Sequence, residues 1–337
     1  MKLLVCGGAG FIGSNFIHYY LQAHPEAEVV NFDKLTYAGN LDNLRDVENN
    51  LRYHFVQGDI IDLEKVNETI KQFGITHLIN FAAETHVDKS IHGGLRDFVL
   101  TNTLGVQMLL DAVRANNLQK MVNVSTDEVY GALHLDSPDK FSESTPINPN
   151  MPYAAAKAGG DLMCHAYFVT HKVPVVVTHC SNNYGAYQFP EKLIPFFVMK
   201  LMKGEKVPMY GDGLYVRDWI HVEDHARALD LLLEKGENGG VYNIGVDNER
   251  SNMEITHMLL KMMGKDESSI EYVQDRPGHD RRYAIDATKI TDLGWKPVYS
   301  AEKFEQGLKE TVDWYLNNTA WVEKIWAKKD DINNHIK

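Results

Sequence analysis

The first half of the chain alternates short apolar runs, rich in β-branched residues, with longer stretches of helical periodicity. The apolar runs are "KLLVC", "EVVNF", "RYHFV", "THLINFA" and "KMVNV", and helical patterns occupy 12–23, 62–73 and about 96–116. Parallel strands need long connections, usually helices, and strands that are covered on both faces are apolar throughout. The alternation therefore predicts an α/β fold with a doubly wound parallel sheet.

The pattern becomes less regular after "VPVVVTHC", where prolines and the turn-like "YGDG" interrupt short elements before a helix at about 301–317. We expect a first domain over residues 1–185, with some later chain returning to its sheet. A smaller C-terminal α/β substrate domain is expected mainly over 186–325, followed by a tail at 326–337.

Composition excludes several classes of function. The formal net charge of −12 disfavours nucleic acid and membrane surfaces as partners, because both require a dense basic face. Cys6, Cys164 and Cys180 lie far apart without metal-type spacing, so no metal site is expected. The opening apolar stretch is too short for a signal-peptide core, and the expected location is a reducing cytoplasm.

The loop "GGAGFIGS" follows the first strand and opens the first helix, the context in which glycines bind a dinucleotide. Gly8, Gly10 and Gly13 fit one spacing of that loop, and Gly7, Gly10 and Gly13 fit a second spacing. Glycines let backbone amides approach a pyrophosphate at the positive end of the helix. The alternative is a flexible turn, but the strand–loop–helix context favours a Rossmann-type domain.

Asp33 ends the second strand, where a carboxylate can accept hydrogen bonds from both adenosine ribose hydroxyls and would repel a 2′-phosphate. The expected cofactor is therefore NAD rather than NADP, although Lys34 is adjacent. Asp59 ends the third strand and either lines the cofactor site or caps the following helix.

"YAAAK" places Tyr153 and Lys157 four residues apart, on one face of a helix. An ammonium and a positive nicotinamide ring both favour the phenolate, so we expect Tyr153 to take a proton from an alcohol as hydride leaves. Alone, such a pair is usually a solvated surface couple. Together with the glycine loop, it indicates an oxidoreductase-type site.

At this point the sequence resembles the extended short-chain dehydrogenase/reductases of the NAD-dependent epimerase/dehydratase family, and within them the dTDP-glucose 4,6-dehydratases. The resemblance covers nearly the whole chain. It rests on the strings "GGAGFIGSNF", "AAETHVDKSI", "STDEVYG", "SNNYGAYQFPEKLIP", "YGDGLYVRDWIHVEDHARAL", "YNIG" and "DRPGHDRRYAID". Related sugar-nucleotide epimerases generally lack the Asp–Glu pair that follows the Thr in "STDEVYG".

The resemblance implies oxidation of the sugar at C4, loss of water across C5 and C6, and return of hydride to C6. Glu128 would remove the C5 proton, Asp127 would protonate the leaving hydroxyl, and Thr126 would bind near O4. Two adjacent acids with different protonation states need different surroundings. Because neighbours in a regular strand point to opposite faces, we expect a bend or helical turn near Thr126.

The resemblance also implies the remaining binding residues, each of which has a structural turn or packing role as its alternative. The expected NAD-binding residues are Gly7, Gly10, Phe11, Ile12, Gly13, Asp33, Lys34, Asp59, Ile60, Ala82, Ala83, Thr101, Tyr153, Lys157 and Asn183. The expected residues for the nucleoside diphosphate sugar are Thr85, His86, Thr126, Asn182, Lys192, Leu193, Pro208, Tyr210, Arg217, Asn252, Arg276, His279 and Tyr283. Arg217 and Arg276 are the candidates for the pyrophosphate, because a guanidinium binds phosphate oxygens in pairs.

Several alternatives stay open. A UDP-sugar 4-epimerase or decarboxylase would share the first oxidation but has no use for an acid at C6. A catalytically idle NAD-binding scaffold would need only the glycine loop. His221 and His225 have the spacing of a zinc pair, but we interpret them as helix-start and packing residues.

Four positions depart from the family pattern, and none is a proposed proton carrier: Ala186, Ala156, His179 and Cys6. The helices around 96–116 and 153–170 carry apolar residues beyond one face. As the family does, they are expected to form a homodimer through a four-helix bundle.

Overall fold

Twelve strands form three sheets in the computed structural model, which describes residues 1–275 and 279–328. The strands are β1 (Lys2–Cys6), β2 (Glu28–Asp33), β3 (Tyr53–Gln57), β4 (His77–Asn80), β5 (Lys120–Thr126), β6 (Val175–Cys180), β7 (Asn182–Tyr184), β8 (Val207–Tyr210), β9 (Val216–His221), β10 (Val241–Ile244), β11 (Glu249–Ser251) and β12 (Ile270–Val273). The central sheet has the order β10-β6-β5-β4-β1-β2-β3 and is parallel throughout. The predicted doubly wound, Rossmann-type fold is confirmed, including a strand from the second half.

Twelve α-helices connect and cover these strands within the described ranges. They are α1 (Phe11–Ala23), α2 (Leu63–Phe73), α3 (Val87–His92), α4 (Leu95–Val99), α5 (Val106–Ala115), α6 (Pro152–His171), α7 (Leu193–Met202), α8 (Val222–Lys235), α9 (Asn252–Met262), α10 (Thr288–Asp292), α11 (Phe304–Asn317) and α12 (Thr319–Ala327). Single 3₁₀ turns occupy Leu41–Leu44, Asp127–Tyr130, Glu267–Ser269 and Ala301–Lys303.

The central sheet is buried on both faces. On one face, α1 and α8 pack through residues such as Phe16 and Leu229, and on the other α2 and α5 pack through residues such as Val66 and Leu109. All seven residues of β5 are buried, which explains its continuous apolar run.

The helix predicted over about 96–116 is not one continuous α-helix. It begins at Leu95 and ends at Ala115, but Leu100–Gly105 form a π-helical segment between α4 and α5. In this segment the Asn102 side chain accepts a hydrogen bond from the Glu84 amide and donates one to the Glu84 carbonyl. The Thr103 hydroxyl donates to the Ala156 carbonyl at 2.8 Å. These tertiary bonds compete with regular helical ones, and apolar periodicity does not report them.

The second half of the chain builds the wall that faces the carboxyl edge of the large sheet. A sheet of order β11-β9-β7 and the pair β12-β8 pack against α7, α9 and α11 around Phe197, Leu259 and Leu308. Helix α12 extends two residues into the predicted tail, because Trp326 is buried and stacks near Phe196. Within residues 1–275 and 279–328, no helix is both long and apolar enough to cross a membrane.

Candidate active site

The glycine loop joins β1 to α1 with little space for side chains. Gly7 has a φ of +75°, and a Cβ atom there would lie 2.5 Å from the Ala82 amide nitrogen. A Cβ atom at Gly13 would lie 2.4 Å from the Gly7 carbonyl oxygen. Gly10 occupies the N-cap position of α1, so the positive end of this helix is reached through backbone amides.

A cleft at the carboxyl edge of the sheet contains most of the predicted cofactor residues. It is lined by Gly7, Gly10, Asp33, Lys34, Asp59, Ile60, Ala82, Ala83 and Thr101. The same cleft is also lined by residues that are not among the predicted cofactor residues: Phe32, Thr36, Ala38, Gly39, Gly58, Phe81 and Glu84. The ends of neighbouring strands and the loops that follow them bring these residues to the cleft.

Four other predicted cofactor residues lie beside this cleft. Phe11, Ile12 and Gly13 form the first turn of α1. Asn183 lies on β7, where its amide nitrogen donates to the Ser181 carbonyl at 3.0 Å and its oxygen lies 2.9 Å from His225 Nδ1. The side chain of Asn183 therefore also has a structural role.

Asp33 is buried at the end of β2 and is held by two backbone amides. Its carboxylate accepts hydrogen bonds from Ala9 N at 2.9 Å and Leu35 N at 2.7 Å. Burial raises the pKa of Asp33, and these two amides oppose that effect. Lys34 pairs with Asp59 at 2.6 Å, so its ammonium is neutralised at the place where a 2′-phosphate would need it. The cleft thus fits an adenine dinucleotide without a 2′-phosphate, as predicted for NAD.

Asp59 does not cap α2, the alternative that its position had suggested. Asp62 occupies that N-cap and accepts a hydrogen bond from Lys65 N at 3.0 Å. Asp59 instead accepts from Ile61 N at 3.1 Å and bonds Lys34. It is therefore available as a cleft residue.

The backbone turns directly after β5, as the spacing of the two acids requires. Thr126 ends the strand, and Asp127–Tyr130 form a 3₁₀ turn that Thr126 caps by accepting a hydrogen bond from Glu128 N at 3.3 Å. The predicted bend is confirmed. A 3₁₀ turn has three residues per repeat, so neighbours are no longer forced onto opposite faces.

Asp127 is almost completely buried, with 2% of its surface exposed. Its Oδ1 accepts a hydrogen bond from the Thr126 hydroxyl at 3.4 Å, and its Oδ2 has no hydrogen-bond partner among the described residues. Burial raises the pKa of Asp127 well above its ordinary value, and the charges of Glu128 and Asp218 add to this effect. This environment favours the protonated carboxyl relative to an exposed aspartate, which is the direction that a general acid requires.

Tyr153 and Lys157 lie on α6 and are both buried. The Lys157 ammonium donates to the Val124 carbonyl at 2.7 Å. In the protein alone the pKa of Tyr153 is raised well above its ordinary value, first by burial and then by the charge of Glu128. Desolvation and this negative charge oppose ionisation in the protein alone, and the expected effect of Lys157 and the nicotinamide ring on the phenolate stays a prediction.

Arg217 and Tyr283 approach the acid pair from the second half of the chain. The Arg217 guanidinium lies 4.3 Å from the centre of the Tyr283 ring and donates to the carbonyls of Val216 and Asp280. Its charge lowers the pKa of Asp127, whereas the Glu128 charge contributes to the raised pKa of Tyr283. One of the two predicted pyrophosphate cations therefore lies near the acids, while Arg276 is outside the described residues.

A second group of predicted sugar residues gathers around a carboxylate that sequence reasoning missed. Glu191 accepts a hydrogen bond from the Thr85 hydroxyl at 3.0 Å, and its Oε2 is buried with no hydrogen-bond partner among the described residues. Lys192 donates to the Thr85 carbonyl at 3.0 Å, and the Tyr37 hydroxyl lies 3.1 Å from that of Thr85. The string "FPEKLIP" contains Glu191, but nothing in its spacing distinguishes this acid.

His86 has a structural role within this group. It is the N-cap of α3, and its Nδ1 accepts a hydrogen bond from Lys89 N at 3.2 Å. Burial lowers its pKa, which favours the neutral ring that such a cap requires. This contact matches the loop hydrogen bond that was the alternative reading of His86.

The remaining predicted substrate-binding residues lie in two places in the second half of the chain. Asn182 is on β7 and Leu193 begins α7. Pro208 and Tyr210 are on β8, and the Tyr210 ring faces His279 edge-on at 6.5 Å. The His279 ring stacks on the Tyr215 ring, with their centres 3.6 Å apart. Asn252 is the first residue of α9, and its backbone amide donates a hydrogen bond to the Tyr215 carbonyl.

The two histidines with zinc-like spacing have structural roles. His221 is the N-cap of α8 and accepts a hydrogen bond from Glu223 N at 3.3 Å. His225 is fully buried, and its Nδ1 is bonded to Asn183. This confirms their interpretation as helix-start and packing residues.

Comparison with known proteins agrees with this arrangement. The family model described as GDP-mannose 4,6 dehydratase matches residues 4–311. The chain belongs to this family. It is 49% identical to the low-salt glycan biosynthesis protein Agl12 of Haloferax volcanii, covering 94% of this chain and 99% of that protein. It is 47% identical to a dTDP-glucose 4,6-dehydratase of Streptomyces niveus, covering 96% of each.

A solved structure shares the complete fold. The dTDP-glucose 4,6-dehydratase DesIV of Streptomyces venezuelae, with NAD and dTDP bound, has a TM-score of 0.92 and 46% identity. The match covers 96% of this chain and all of that one. The resemblance seen in the sequence is confirmed by these relatives.

Proposed function

We propose that this chain is an NAD-dependent dTDP-glucose 4,6-dehydratase, which converts its substrate to dTDP-4-keto-6-deoxyglucose. The observation that carries this proposal is the pair of buried Asp127 and half-buried Glu128 on the turn after β5, whose charges influence the pKa of Tyr153. An epimerase or decarboxylase needs the tyrosine but no acid at C6. The names of the relatives at 47% and 46% identity support the same activity.

The first half-reaction is an oxidation at C4. Bound NAD supplies the hydride acceptor for C4 and the hydride donor for C6, so it is recycled within one turnover. Gly7, Gly10 and Asp33 would hold it in the cleft, and Tyr153 takes the proton from the C4 hydroxyl. Lys157 places a positive charge next to that phenol, while Thr126 hydrogen-bonds near O4.

The elimination depends on two carboxyl groups in opposite states. Once C4 is a ketone, the hydrogen at C5 is acidic, and Glu128 removes it as the base. Asp127, whose burial favours the protonated form, donates its proton to the departing C6 hydroxyl. Glu128 then returns a proton to C5 as C6 is reduced, so that the net loss is one molecule of water.

Arg217 and Lys192 are proposed to hold the nucleotide and sugar on the opposite wall. Arg217 is buried and points its charge toward the acid pair, which suits a pyrophosphate that links sugar and nucleoside. Glu191 adds an acceptor for a sugar hydroxyl, because its buried Oε2 has no hydrogen-bond partner in the described part of the chain. The thymidine base is supported by the relatives alone.

The experiment that tests the activity is incubation of the pure protein with dTDP-glucose, UDP-glucose, GDP-mannose and UDP-glucuronic acid, followed by chromatographic separation and mass measurement of each product. A product lighter by one water from dTDP-glucose, without added reductant or oxidant, supports the proposal. An isomer of unchanged mass would identify an epimerase. A release of carbon dioxide from a glucuronic acid substrate would identify a decarboxylase.

We further propose a homodimer through a four-helix bundle formed by α4–α5 and α6 of each copy. On α6, Ala155, Leu162, Ala166 and Val169 are exposed at positions i, i+7, i+11 and i+14, which lie on one face. Exposed Leu95 and Val99 continue this apolar surface on α4. Light scattering should give the mass of a dimer, and Leu162→Glu should reduce it to that of a monomer.

Two further parts of the proposal concern location and domain division. The inferred location is a reducing cytoplasm, which is supported by three free, buried cysteines: Cys6, Cys164 and Cys180. We assign NAD binding to residues 1–185, with the return of β10, and nucleotide–sugar binding mainly to 186–325. The separate apolar cluster around Phe197 and Leu259 supports that division.

A further inference from the structure

Asp161 is a buried carboxylate on the helix that carries Lys157, and it bonds to the strand that ends at the two catalytic acids. Asp161 lies on α6 four residues after Lys157, on the same face of the helix, and only 5% of its surface is exposed. One oxygen accepts a hydrogen bond from the Ser125 hydroxyl at 2.7 Å, and the other accepts from Asn123 Nδ2 at 3.2 Å. Both donors belong to β5, and Ser125 directly precedes Thr126.

The same carboxylate also reaches the turn that carries the acids. His179 Nε2 lies 3.3 Å from Asp161, and His179 Nδ1 lies 2.7 Å from the Tyr130 hydroxyl. Tyr130 is the last residue of the Asp127–Tyr130 turn, and its hydroxyl donates to Asn243 on β10 at 2.8 Å. A continuous buried network therefore connects α6, β5, β6, β10 and the acid turn.

Lys157 needs such a group because it is a cation in a dry site. Its ammonium has the Val124 carbonyl as an acceptor, and burial lowers its pKa. The Asp161 charge is the largest influence in the opposite direction. An isolated buried ammonium would lose its proton, so a carboxylate within the same buried cluster helps to keep Lys157 charged.

We propose that Asp161 is a positioning residue for the dehydration reaction: its buried carboxylate supports the charge of Lys157 and holds helix α6, with Tyr153, in register with the acids at the end of β5. This inference rests on the proposed function. Nothing in the mechanism so far uses Asp161, and its bonds to Ser125 and His179 are not needed to form the sheet. They are placed where a small displacement of α6 would separate the tyrosine from the two acids.

Asp161→Asn keeps the size of the side chain but removes its charge, so it separates positioning from simple packing. The titratable groups around the Lys157–Asp161 pair come from α6, from β6 and from the turn: Cys164, His179, Cys180 and Tyr130. None of these residues is itself substituted, although Cys164, His179 and Tyr130 also lose the Asp161 charge. We expect Lys157 to lose its proton at a pH at least ~1 unit lower in the variant.

The first test measures Lys157 directly in the cofactor-free protein. Protein labelled with ¹³C at lysine Cε is titrated by NMR, and the Lys157 signal is assigned with Lys157→Arg. The matched control is Asp111→Asn, which removes a carboxylate on α5 that accepts a hydrogen bond from the Tyr167 hydroxyl on α6. A lowered Lys157 midpoint in Asp161→Asn but not in Asp111→Asn supports the proposal, whereas equal midpoints would overturn it.

The second test measures the reaction. We expect kcat to fall about 10–100-fold in Asp161→Asn with little change in KM, and the alkaline limb of the pH profile to move to lower pH. Asp161→Glu keeps the charge and should restore the alkaline limb. A variant that loses activity only in proportion to its folded fraction, with an unchanged pH profile, would contradict the proposal.

The two tests separate this inference from the proposed function. If the parent protein does not dehydrate any nucleotide sugar, the proposed function fails, yet the NMR titration still decides whether Asp161 holds the Lys157 charge. If the parent protein dehydrates dTDP-glucose and Asp161→Asn titrates and reacts as the parent does, only the role of Asp161 is refuted.

Discussion

The cofactor cleft and the acid site lie at the same edge of the central sheet but are built in different ways. The cleft is formed mainly by backbone and small residues, and its glycine loop comes from one continuous stretch, residues 7–13. The acid site is formed by buried side chains from α6, the turn after β5, and the second half of the chain. Shape, together with the Asp33 carboxylate, decides what the cleft binds, whereas charge and burial decide what the acid site does.

This difference predicts two kinds of mutational response. A change in the cleft should affect binding through steric contact and leave proton transfers intact once the cofactor is bound. A change in the acid site should affect the rate or the pH dependence and leave cofactor affinity nearly unchanged.

The largest effect is expected for Glu128→Gln, which removes the base but preserves the shape of the side chain. The rate of dehydration should fall about 10²–10⁴-fold, because general-base catalysis contributes this range. NAD affinity should stay within about twofold of the parent value. The absorbance of the keto product in alkali measures the rate, and exposed Glu234→Gln on α8 is the control. A variant as fast as the parent would exclude Glu128 as the base.

The next largest effect concerns the cleft. Gly7→Ala should weaken NAD binding about 30–100-fold, because of a strained φ and a Cβ atom placed 2.5 Å from Ala82 N. Gly204→Ala is a matched control, since Gly204 has a φ of +72° and nothing lies within 4 Å of its Cβ position. Calorimetric titration with NAD measures both. Equal losses of affinity in the two variants would show that backbone strain, and not the cleft, is responsible.

Arg217→Ala should raise the KM for dTDP-glucose about 10–100-fold, which corresponds to ~1.4–2.7 kcal/mol of lost binding. kcat should change much less, because a pyrophosphate contact is made in both ground and transition states. Arg227→Ala removes an arginine that pairs with exposed Glu223 and serves as the control. An unchanged KM in Arg217→Ala would place the pyrophosphate elsewhere.

The smallest effect is on stability. Because the pKa of Asp127 is raised in the folded protein, folding favours the protonated carboxyl. The protein therefore loses stability as the pH rises from the pKa of Asp127 in the unfolded chain, near 3.8, toward its higher pKa in the folded protein. Asp127→Asn should therefore raise the Tm at pH 7 by about 2–4 °C, as ~1 kcal/mol does in a medium-sized protein. The gain should shrink as the pH is lowered toward 4. Thermal scans at several pH values measure the gain in Tm. A gain that grows on acidification would contradict the raised pKa of Asp127.

The cleft was the easier region to predict from the sequence. Gly7, Gly10, Gly13 and Asp33 occur at spacings that the strand–loop–helix geometry dictates, so their positions in the structure follow from local rules. Thr36, Ala38 and Gly39 line the same cleft without any sequence signal, because only the folding of neighbouring strands and loops brings them together.

The acid site could be predicted only in part. The bend after Thr126 follows from the need to place two adjacent acids in one site, and the structure has it. The raised pKa of Tyr153, the contact of Glu191 with Thr85, and the Asp161 network depend on packing between distant segments. The π-helical segment at Leu100–Gly105 also arises from tertiary bonds, which apolar periodicity does not encode.

The most direct measurement of the central claim uses dTDP-glucose that carries deuterium at C4. We predict a product lighter by one water in which the deuterium is found on the new C6 methyl group, with no added cofactor consumed. A product of unchanged mass, or a methyl group without the label, would contradict an acid pair that acts beside a recycled nicotinamide.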